Sequence, residues 1–348
     1  MLMVWGSFFP FFNPGGMAGL SASLVALVML AVLLLALWID RRFGEPPMAI
    51  HPVVWIGHYL KACGRVSVAC PPALAFVLGA LAWCVGAAGV AALTWALQAL
   101  TFWQLARFIF QPALETGLAA TALVGAMAWL TKSMLSWRML HDEAGAVETA
   151  LQQSLAAGRA RLSWLVSRDT APLTAVQVRE SVIETLAENL NDSVVAPIFW
   201  FVLFGLPGAA VYRVANTADA MWGYRGTYKG QYWEWAGKWA AHADDVLSWL
   251  PARLTGGLLM GVTGHFWPGE MQRQAAKTPS PNSGWPMAAM ALALGVSVSK
   301  PGVYTLNATG RAPQAQDVLL AQRYASKVVL VQAGCALTAI IFIAILWV

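Results

Sequence analysis

Charged side chains are scarce in this sequence. Asp, Glu, Lys and Arg make up 11% of its 348 residues, whereas an ordinary globular chain carries about a quarter. Hydrophobic residues make up 58%, and the mean hydropathy is +0.59. So few polar residues cannot cover a water-soluble protein of this size, and the composition also excludes disordered, fibrous and disulfide-rich secreted chains. The sequence therefore predicts a protein embedded in a lipid bilayer.

Several chemical signatures are missing as well. The four cysteines have no CxxC spacing and the five histidines have no H-x-x-x-H spacing, so neither a zinc site nor a disulfide framework is indicated. No G-x-x-x-x-G-K-[ST] segment is present, which excludes ATP binding through a P-loop. The net charge of +5 is typical of cytoplasmic loops under the positive-inside rule. We therefore expect no nucleic-acid partner.

Long uncharged runs predict the membrane spans. Residues 20–39 form an uncharged stretch that ends at Asp40, Arg41 and Arg42, which is the length that about 30 Å of hydrocarbon requires and the flank of a cytoplasmic end. Further spans are predicted over residues 74–97, 116–131 and 328–348. Residues 194–211 and 284–299 are apolar but contain proline. We expect residues 194–211 to be re-entrant or interfacial, or to pair with a second short helix, since a broken helix needs protein or a water cavity around it.

The predicted fold class follows from these runs. We expect an all-α, polytopic integral membrane protein with about four to six membrane segments, one or two of them broken or re-entrant. Residues 1–16 are an N-terminal extension without the basic region and cleavage site of a signal peptide, and Met17 is an alternative start. Residues 17–348 are predicted to form one membrane domain, with cytoplasmic segments at about 132–253 and 270–327 carrying the site.

Acidic residues are concentrated in one part of the chain, because 12 of the 17 lie between residues 142 and 245. Thr174 is predicted to cap a helix that runs to about residue 191. Within it Glu180, Glu184, Glu188 and Asp192 recur every fourth residue and share one face. Like charges at this spacing destabilise a helix, so something cationic should face them. Two alternatives stay open, namely Mg²⁺ with phosphate groups or basic partners, for which the candidates are Arg168, Arg179 and Arg213.

Other polar clusters lie nearby in the sequence. The pattern Asn-x-x-Asp occurs at Asn189–Asp192 and again at Asn216–Asp219, and each copy places an amide and a carboxylate on one helical face. Asp244 and Asp245 form another acidic pair. Seven aromatic residues between 222 and 239 either wall a large planar ligand or serve as interface and packing residues.

A set of motifs in a fixed order resembles the CobD/CbiB family, the adenosylcobinamide-phosphate synthases of cobalamin biosynthesis. The resemblance covers about residues 17–345. Its motifs are Gly44-Glu45-Pro46, His51-Pro52-Val53-Val54-Trp55-Ile56-Gly57, Ser167-Arg168-Asp169-Thr170, Glu184-Thr185-Leu186-Ala187-Glu188-Asn189 with Asp192, Ala196-Pro197, Asn216-Thr217-Ala218-Asp219-Ala220-Met221, Gly223-Tyr224, Asp244-Asp245-Val246, Pro251-Ala252-Arg253 and Ser280-Pro281-Asn282.

The resemblance implies a multi-pass enzyme of the bacterial inner membrane with its active site on the cytoplasmic side. Such an enzyme joins aminopropanol phosphate, or ethanolamine phosphate, to the free propionate carboxylate of adenosylcobyric acid, with ATP and Mg²⁺ as cofactors. The sequence leaves open which amino alcohol phosphate is used, and whether other late cobalamin-pathway membrane proteins associate with the enzyme.

Residue roles are assigned by combining the motifs with the chemistry. We expect the metal ligands to be Glu188, Asp192 and Asp219. The general base is either Glu184 or Asp245, with Asp244 as a third catalytic candidate. Anion binding falls to three arginines, and the remaining substrate-binding candidates come from the motifs. These residues are Arg168, Arg213 and Arg253, and then Asp169, Thr170, Asn189, Asn216, Tyr224, Ser280 and Asn282.

Three other functions compete with this one. A transporter would carry charges inside its spans at broken helices, whereas here the charges lie in the loops. A membrane signalling protein of the same superfamily would keep the spans without needing the full set of polar motifs. An intramembrane prenyltransferase would also use Asn and Asp around Mg²⁺ and diphosphate.

Overall fold

The computed structural model describes residues 20–346, so the expectations about residues 1–16 and Met17 lie outside the described residues. The described chain forms two compact units. The first contains the residues up to Leu135, Pro197–Val246 and the chain from Cys335 onward, and the second contains Ser136–Ala196 and Leu247–Gly334. Each unit is built from separate stretches of the sequence. That residues 17–348 act as a single membrane domain stays a prediction.

The first unit is mainly helical. Helix α1 begins after Ser21, whose side chain accepts a hydrogen bond from the amide of Leu24, and it ends at Gly44, which has a positive φ of 70°. The other helices that lie wholly in this unit follow in sequence. The bounds are Ala22–Phe43 for α1, Pro52–Ser67 for α2, Pro72–Phe110 for α3 and Leu114–Ser133 for α4, with a 3₁₀ turn at Met48–Ile50.

The second unit carries α5 (Trp137–Gln153), α6 (Leu155–Leu162) and α7 (Ala175–Leu190), followed by a π-helical turn at Asn191–Val195. It also contains α10 (Pro268–Ala275) and α11 (Gly284–Leu294). Strands β3 (Val298–Lys300) and β4 (Tyr304–Leu306) form an antiparallel hairpin in which Ser299 pairs with Thr305. This hairpin and α11 both pack against α7.

Three helices belong partly to each unit, because the chain passes from one unit to the other inside or beside them. They are α8 (Ala196–Trp222), α9 (Lys238–Thr263) and α12 (Ala315–Leu346). Between α8 and α9 the first unit contains a short antiparallel hairpin with two residues in each strand, β1 (Thr227–Tyr228) and β2 (Gln231–Tyr232).

The predicted membrane class is confirmed: the protein is an all-α, polytopic integral membrane protein. Among residues 20–346, five helical stretches are long and apolar enough to cross a bilayer. They are Ala22–Phe43, Pro72–Phe110, Leu114–Gln153, Ala175–Trp222 and Ala315–Leu346. All four spans predicted from uncharged runs coincide with these stretches, as far as the described residues extend, except that the first helix begins at Ala22 and not at residue 20. The short apolar segment predicted at 284–299 is a helix only to Leu294, after which Gly295 adopts a left-handed conformation.

Helix α8 is broken, as the sequence predicts for residues 194–211. Gly205 has φ 69° and ψ −156°, a region open almost only to glycine, and Pro207 follows it. A Cβ atom on Gly205 would lie 2.4 Å from Oε1 of Gln98. That same oxygen accepts a hydrogen bond from the Leu206 amide at 3.0 Å, which satisfies one backbone group released by the break. The re-entrant course of this segment stays a prediction.

A buried ion cluster joins the ends of α1 and α4 in the first unit. Lys132 is fully buried, and its Nζ lies 3.0 Å from Oε2 of Glu45 and 3.4 Å from Oδ1 of Asp40. His51 caps α2, because its Nδ1 accepts a hydrogen bond from the Val53 amide. Its Nε2 therefore carries the proton that is donated to Glu45 at 3.0 Å. The Gly-Glu-Pro and His-Pro motifs thus have a structural role where α1, α2 and α4 meet.

Two of the seven aromatic residues at 222–239 lie in the core of the first unit and are not available to a planar ligand. Trp222 stacks on Trp233 with ring centroids 6.5 Å apart, and both side chains are buried. Gly64 of α2 packs against this pair, where a Cβ atom would lie 2.5 Å from Nε1 of Trp222. The packing interpretation is correct for these two tryptophans.

Candidate functional site

Helix α7 carries the predicted row of carboxylates. Thr174 caps it with a reciprocal pair of bonds, since its hydroxyl accepts from the Gln177 amide and the Gln177 side chain accepts from the Thr174 amide. Glu180 and Glu184 are buried, whereas Glu188 is half-buried. Buried carboxylates require partners, and the structure supplies them from two other parts of the second unit.

Glu184 is held at both of its oxygen atoms. Nη2 of Arg168 donates to Oε2, and the hydroxyl of Tyr304 donates to Oε1. These two bonds fix the orientation of the Glu184 carboxylate, and through it that of Arg168. Which of Glu184 and Asp245 acts as the base stays a prediction.

Tyr304 was missed by the sequence analysis. It lies at the start of β4 and reaches Glu184 across 120 residues of sequence. Burial and the negative charge of Glu184 raise the pKa of the Tyr304 hydroxyl, so it remains a donor at any working pH. The neighbouring strand also contributes, because Oγ of Ser299 donates to Glu180 at 2.7 Å. The available signal was the Pro301-Gly302 pair, which is typical of a tight turn.

Arg168 has donor capacity left after it binds Glu184. Its Nη1 is buried and has no hydrogen-bond partner among residues 20–346. The next two residues, Asp169 and Thr170, make hydrogen bonds to backbone groups. The Asp169 carboxylate accepts a hydrogen bond from the Ala171 amide at 2.9 Å, and the Thr170 hydroxyl donates to the Arg159 carbonyl at 3.1 Å. Within the Ser-Arg-Asp-Thr motif, Arg168 is therefore the residue whose side chain retains a donor that could bind an anion.

The π-helical turn after α7 rearranges the first Asn-x-x-Asp pattern. Asp192 is paired with Asn191, whose Nδ2 lies 2.8 Å from Oδ1 of Asp192. Asn189 instead donates to the Thr185 carbonyl of its own helix at 3.1 Å. Thr255 fixes Asn191 from α9 by donating to its Oδ1 at 3.0 Å. A π-helical turn is an uncommon geometry that recurs at functional sites.

The predicted metal ligands do not form a ready-made metal site. No group of three or more His, Cys, Asp or Glu side chains is arranged to hold a metal ion in the described part of the chain. Glu188 and Asp192 belong to the second unit, and Asp219 belongs to the first. Mg²⁺ needs only one or two carboxylates when phosphate and water complete its coordination. The half-buried oxygen donors Glu188 and Asp192 fit that mode of binding.

Arg253 acts as a structural clamp in the second unit. Its guanidinium lies 4.3 Å from the ring centroid of Trp249 and 4.7 Å from that of Trp285. Nη1 donates to Oδ1 of Asn282 at 2.8 Å, and Nη2 donates to the Pro281 carbonyl at 3.2 Å. These contacts use part of the guanidinium's donors and make Asn282 a partner of Arg253. Anion binding by the remaining donors of Arg253 stays a prediction.

Ser280 also has a local role. Its hydroxyl oxygen accepts hydrogen bonds from the amides of Asn282 and Ser283, at 3.2 and 3.3 Å. The Ser-Pro-Asn motif thus forms the turn that leads into α11.

The remaining predicted residues lie in the first unit. On α8, Nη1 of Arg213 lies 3.4 Å from Oδ1 of Asn216. Asp219 stands one turn further on and is packed against Gly223, where a Cβ atom would lie 2.0 Å from its Oδ1. The glycine that precedes Tyr224 is therefore required by the close approach of this carboxylate.

Tyr224, Asp244 and Asp245 lie around the start of α9. Tyr224 stacks on Tyr228 with ring centroids 3.6 Å apart. Burial raises the pKa of the Asp245 carboxyl, and the nearby charges of His242 and Arg225 offset part of that increase. A raised pKa suits a group that accepts a proton.

Comparisons with known proteins agree with one another. The sequence model of the CobD/Cbib protein family matches residues 33–330. A probable cobalamin biosynthesis protein CobD from Methanothermobacter thermautotrophicus is 39% identical, over 79% of this chain and 86% of the relative. The cobalamin biosynthesis protein CobD from Dehalococcoides mccartyi is 35% identical over 88% of this chain and 94% of its own length. The cobalamin biosynthesis protein CobD from Chromobacterium violaceum is 39% identical over 76% of this chain and 79% of its own length. No solved structure shows a significant match to the chain.

Proposed function

This chain belongs to the CobD/Cbib family of cobalamin biosynthesis proteins, and from that premise we propose that it is an ATP-dependent acid–amine ligase. It joins aminopropanol phosphate or ethanolamine phosphate to the free propionate carboxylate of adenosylcobyric acid, and the product is adenosylcobinamide phosphate. The proposed location is the cytoplasmic membrane, with the reaction on the cytoplasmic side.

The observation that carries this proposal is the Arg168–Glu184–Tyr304 cluster on the carboxylate face of α7. Glu184 is fixed at both oxygens, so it holds Arg168 in one orientation and leaves Nη1 of that arginine without a partner among residues 20–346. A rigid arginine with spare donors favours binding of a phosphate or carboxylate group. Glu188 and Asp192 offer carboxylate oxygens in the same unit.

The chemistry requires activation of the propionate carboxylate. ATP and Mg²⁺ supply it when bound, by transfer of a phosphoryl group to one carboxylate oxygen, which leaves ADP. The nitrogen of the amino alcohol phosphate then attacks the activated carbonyl carbon, the amide bond forms and inorganic phosphate leaves. The nucleophile must be a free amine, so one proton of its ammonium group must move to a base, and we assign that step to Asp245.

The other residues bind and orient. Glu188 and Asp192 of the second unit are proposed as carboxylates for Mg²⁺, whose charge would offset that of the phosphate groups. Asp219 stays a ligand candidate from the sequence alone. Arg168 and Arg213 are proposed to bind anionic groups of the substrates, because a planar guanidinium matches phosphate and carboxylate oxygens in pairs.

The test is product formation by membranes that contain the full chain. They are incubated with adenosylcobyric acid, aminopropanol phosphate, ATP and Mg²⁺, and corrinoids are measured by mass spectrometry. We expect an ATP-dependent adenosylcobinamide phosphate peak that Asp192→Ala reduces at least 100-fold. The matched control is Asp142→Ala, since Asp142 is exposed and pairs with Arg138 one turn away.

Two results would reject the proposal. One is a well-folded wild-type protein that forms no product, and the other is full synthesis by Asp192→Ala. A parallel incubation with a labelled isoprenoid diphosphate tests the prenyltransferase alternative. If that alternative is correct, the product will contain the isoprenoid label and no aminopropanol phosphate.

A further inference from the structure

A small cavity in the first unit lies beside Asp245 and the beginning of α9. Its volume is about 270 Å³. The charged and polar side chains that line it are Tyr224, Arg225, Glu234, Lys238, His242 and Asp245. Of these, only Tyr224 and Asp245 belong to the site residues predicted from sequence, so most of the wall comes from residues with no assigned role.

The wall carries both signs of charge. Arg225 and Lys238 are basic, and His242 lies within electrostatic range of Asp245, as does Arg225. Glu234 is acidic, and its Oε2 accepts a hydrogen bond from the Gly226 amide at 3.0 Å. Its other carboxylate oxygen takes no part in that bond. Gly237 and Lys238 also stand at the start of α9, where the helix dipole favours an anion. One small cavity therefore offers cationic groups and carboxylates together.

The size of the cavity limits what it can hold. Drug-sized ligands occupy pockets of about 300–1,000 Å³, and the 270 Å³ of this cavity lies just below that range, which favours a small ligand. A ligand of about ten non-hydrogen atoms that carries one phosphate and one ammonium group matches both the volume and the mixed charge of the wall.

We propose that this cavity binds the amino alcohol phosphate, with Arg225 and Lys238 on its phosphate and Asp245 on its ammonium group. The identity of the ligand rests on the proposed ligase function. Arginine and lysine together suit a phosphate monoester, the arginine through its paired donors and the lysine as a point charge. A carboxylate beside the ammonium group is also where the proton must be accepted before amide formation.

The experiment measures binding to the purified full chain in detergent by isothermal titration. The probes are phosphoethanolamine, inorganic phosphate, ethanolamine and glycerophosphoethanolamine. We expect phosphoethanolamine to bind more tightly than phosphate or ethanolamine alone. Arg225→Gln and Lys238→Gln should each weaken phosphoethanolamine binding at least tenfold. Asp245→Asn should weaken phosphoethanolamine binding but leave phosphate binding within about twofold.

Lys229→Gln is the matched control. Lys229 is an exposed base four residues from Arg225, it lies 5.2 Å from the ring of Tyr228, and it does not line the cavity. Its loss removes the same charge from the same loop, so binding should stay within twofold of wild type. Thermal unfolding of each variant identifies any loss of affinity that comes from misfolding.

Several outcomes would overturn the inference. They are no phosphoethanolamine binding by the wild type, equal losses in Lys229→Gln and Arg225→Gln, or unchanged affinity in both Arg225→Gln and Lys238→Gln. Equal binding of glycerophosphoethanolamine would also overturn it, because a phosphodiester of that kind marks a lipid headgroup site.

The product assay separates this inference from the ligase proposal. If the wild type makes adenosylcobinamide phosphate and Arg225→Gln has an unchanged KM for the amino alcohol phosphate, the cavity assignment fails while the ligase function stands. If the wild type makes no product but binds phosphoethanolamine through Arg225 and Lys238, the cavity assignment stands and the ligase function fails.

Discussion

At the scale of single residues, the hydrogen bond from Tyr304 fixes the Glu184 carboxylate, and that carboxylate in turn positions Arg168. Tyr304→Phe removes the hydroxyl and leaves one buried oxygen of Glu184 without its donor. A hydrogen bond to a charged group contributes about 1.5–3 kcal/mol. We therefore expect a lower midpoint of thermal unfolding and a fall of about tenfold in kcat/KM, measured by corrinoid mass spectrometry.

The matched control for that variant is Tyr232→Phe, since Tyr232 is 53% exposed and loss of its hydroxyl should leave stability and activity unchanged. The role assigned to Tyr304 is wrong if Tyr304→Phe and Tyr232→Phe have the same kcat/KM and the same unfolding midpoint.

Asp245 predicts a pH dependence of stability. Burial raises its pKa in the folded protein above the unfolded value, so the folded state binds the proton more tightly. The stability linked to this proton is present below the ordinary Asp pKa of about 3.9 and is lost as the pH rises through the folded value. At neutral pH the ionised carboxylate therefore opposes folding.

Asp245→Asn should thus unfold at a higher temperature than the wild type at pH 7–8, and this difference should disappear at acid pH. Asp245 is only half-buried and is screened by solvent, so the gain should stay below about 1 kcal/mol. Thermal unfolding across a pH series checks it. A difference that grows as the pH falls would contradict the assignment.

At the scale of elements, the break in α8 depends on one glycine. Gly205→Ala forces a side chain into a backbone region that costs about 1–3 kcal/mol and places its Cβ 2.4 Å from Gln98. We expect a clear fall in the unfolding midpoint in detergent. Gly89→Ala in α3 is the control, because a Cβ atom there meets nothing within 4 Å and alanine favours a helix. Equal midpoints for the two variants would mean that the break does not require glycine.

Arg253 connects two elements, because it lies on α9 and donates hydrogen bonds to the turn before α11. Arg253→Lys keeps the charge but loses the planar fork and its contacts with two tryptophans. We expect a loss of about 1–3 kcal/mol in stability with less than a threefold change in the KM of either substrate.

Arg273→Lys is the control for the clamp, because Arg273 is exposed and pairs only with Glu270 among the ion pairs of residues 20–346. A KM that rises tenfold in Arg253→Lys at unchanged stability would instead support the anion-binding role predicted from sequence.

At the scale of the whole molecule, the distribution of basic residues predicts how the first spans cross the membrane. The end of α1 carries Arg41 and Arg42, whereas the turn between α3 and α4 is nearly free of basic residues. We expect Gln111→Cys to react with a membrane-impermeant maleimide in intact cells. Met48→Cys should react only in inverted vesicles, and both positions are exposed.

The native cysteines are replaced by serine in this experiment, and the cysteine-free protein is the control. Labelling of Met48→Cys in intact cells would reverse the assigned orientation.

The sequence by itself determined the membrane class, the four firm spans, the capped helix at Thr174 and the family. The membrane class, the spans and the cap depend on local information, and the family depends on the order of motifs along the chain. A run of about 20 apolar residues spans the hydrocarbon whatever it packs against, and a cap involves residues three positions apart. The break in α8 was also predictable, because proline and glycine mark it in the chain.

Only the tertiary structure decided which groups the polar residues contact. Glu184 meets Tyr304 across 120 residues of sequence, and Arg253 meets Asn282 across 29. The lining of the cavity beside Asp245 is a property of packing as well. A buried charge must be paired wherever it lies, but the choice of partner depends on how distant segments pack, and that information is absent from the spacing of residues along the chain.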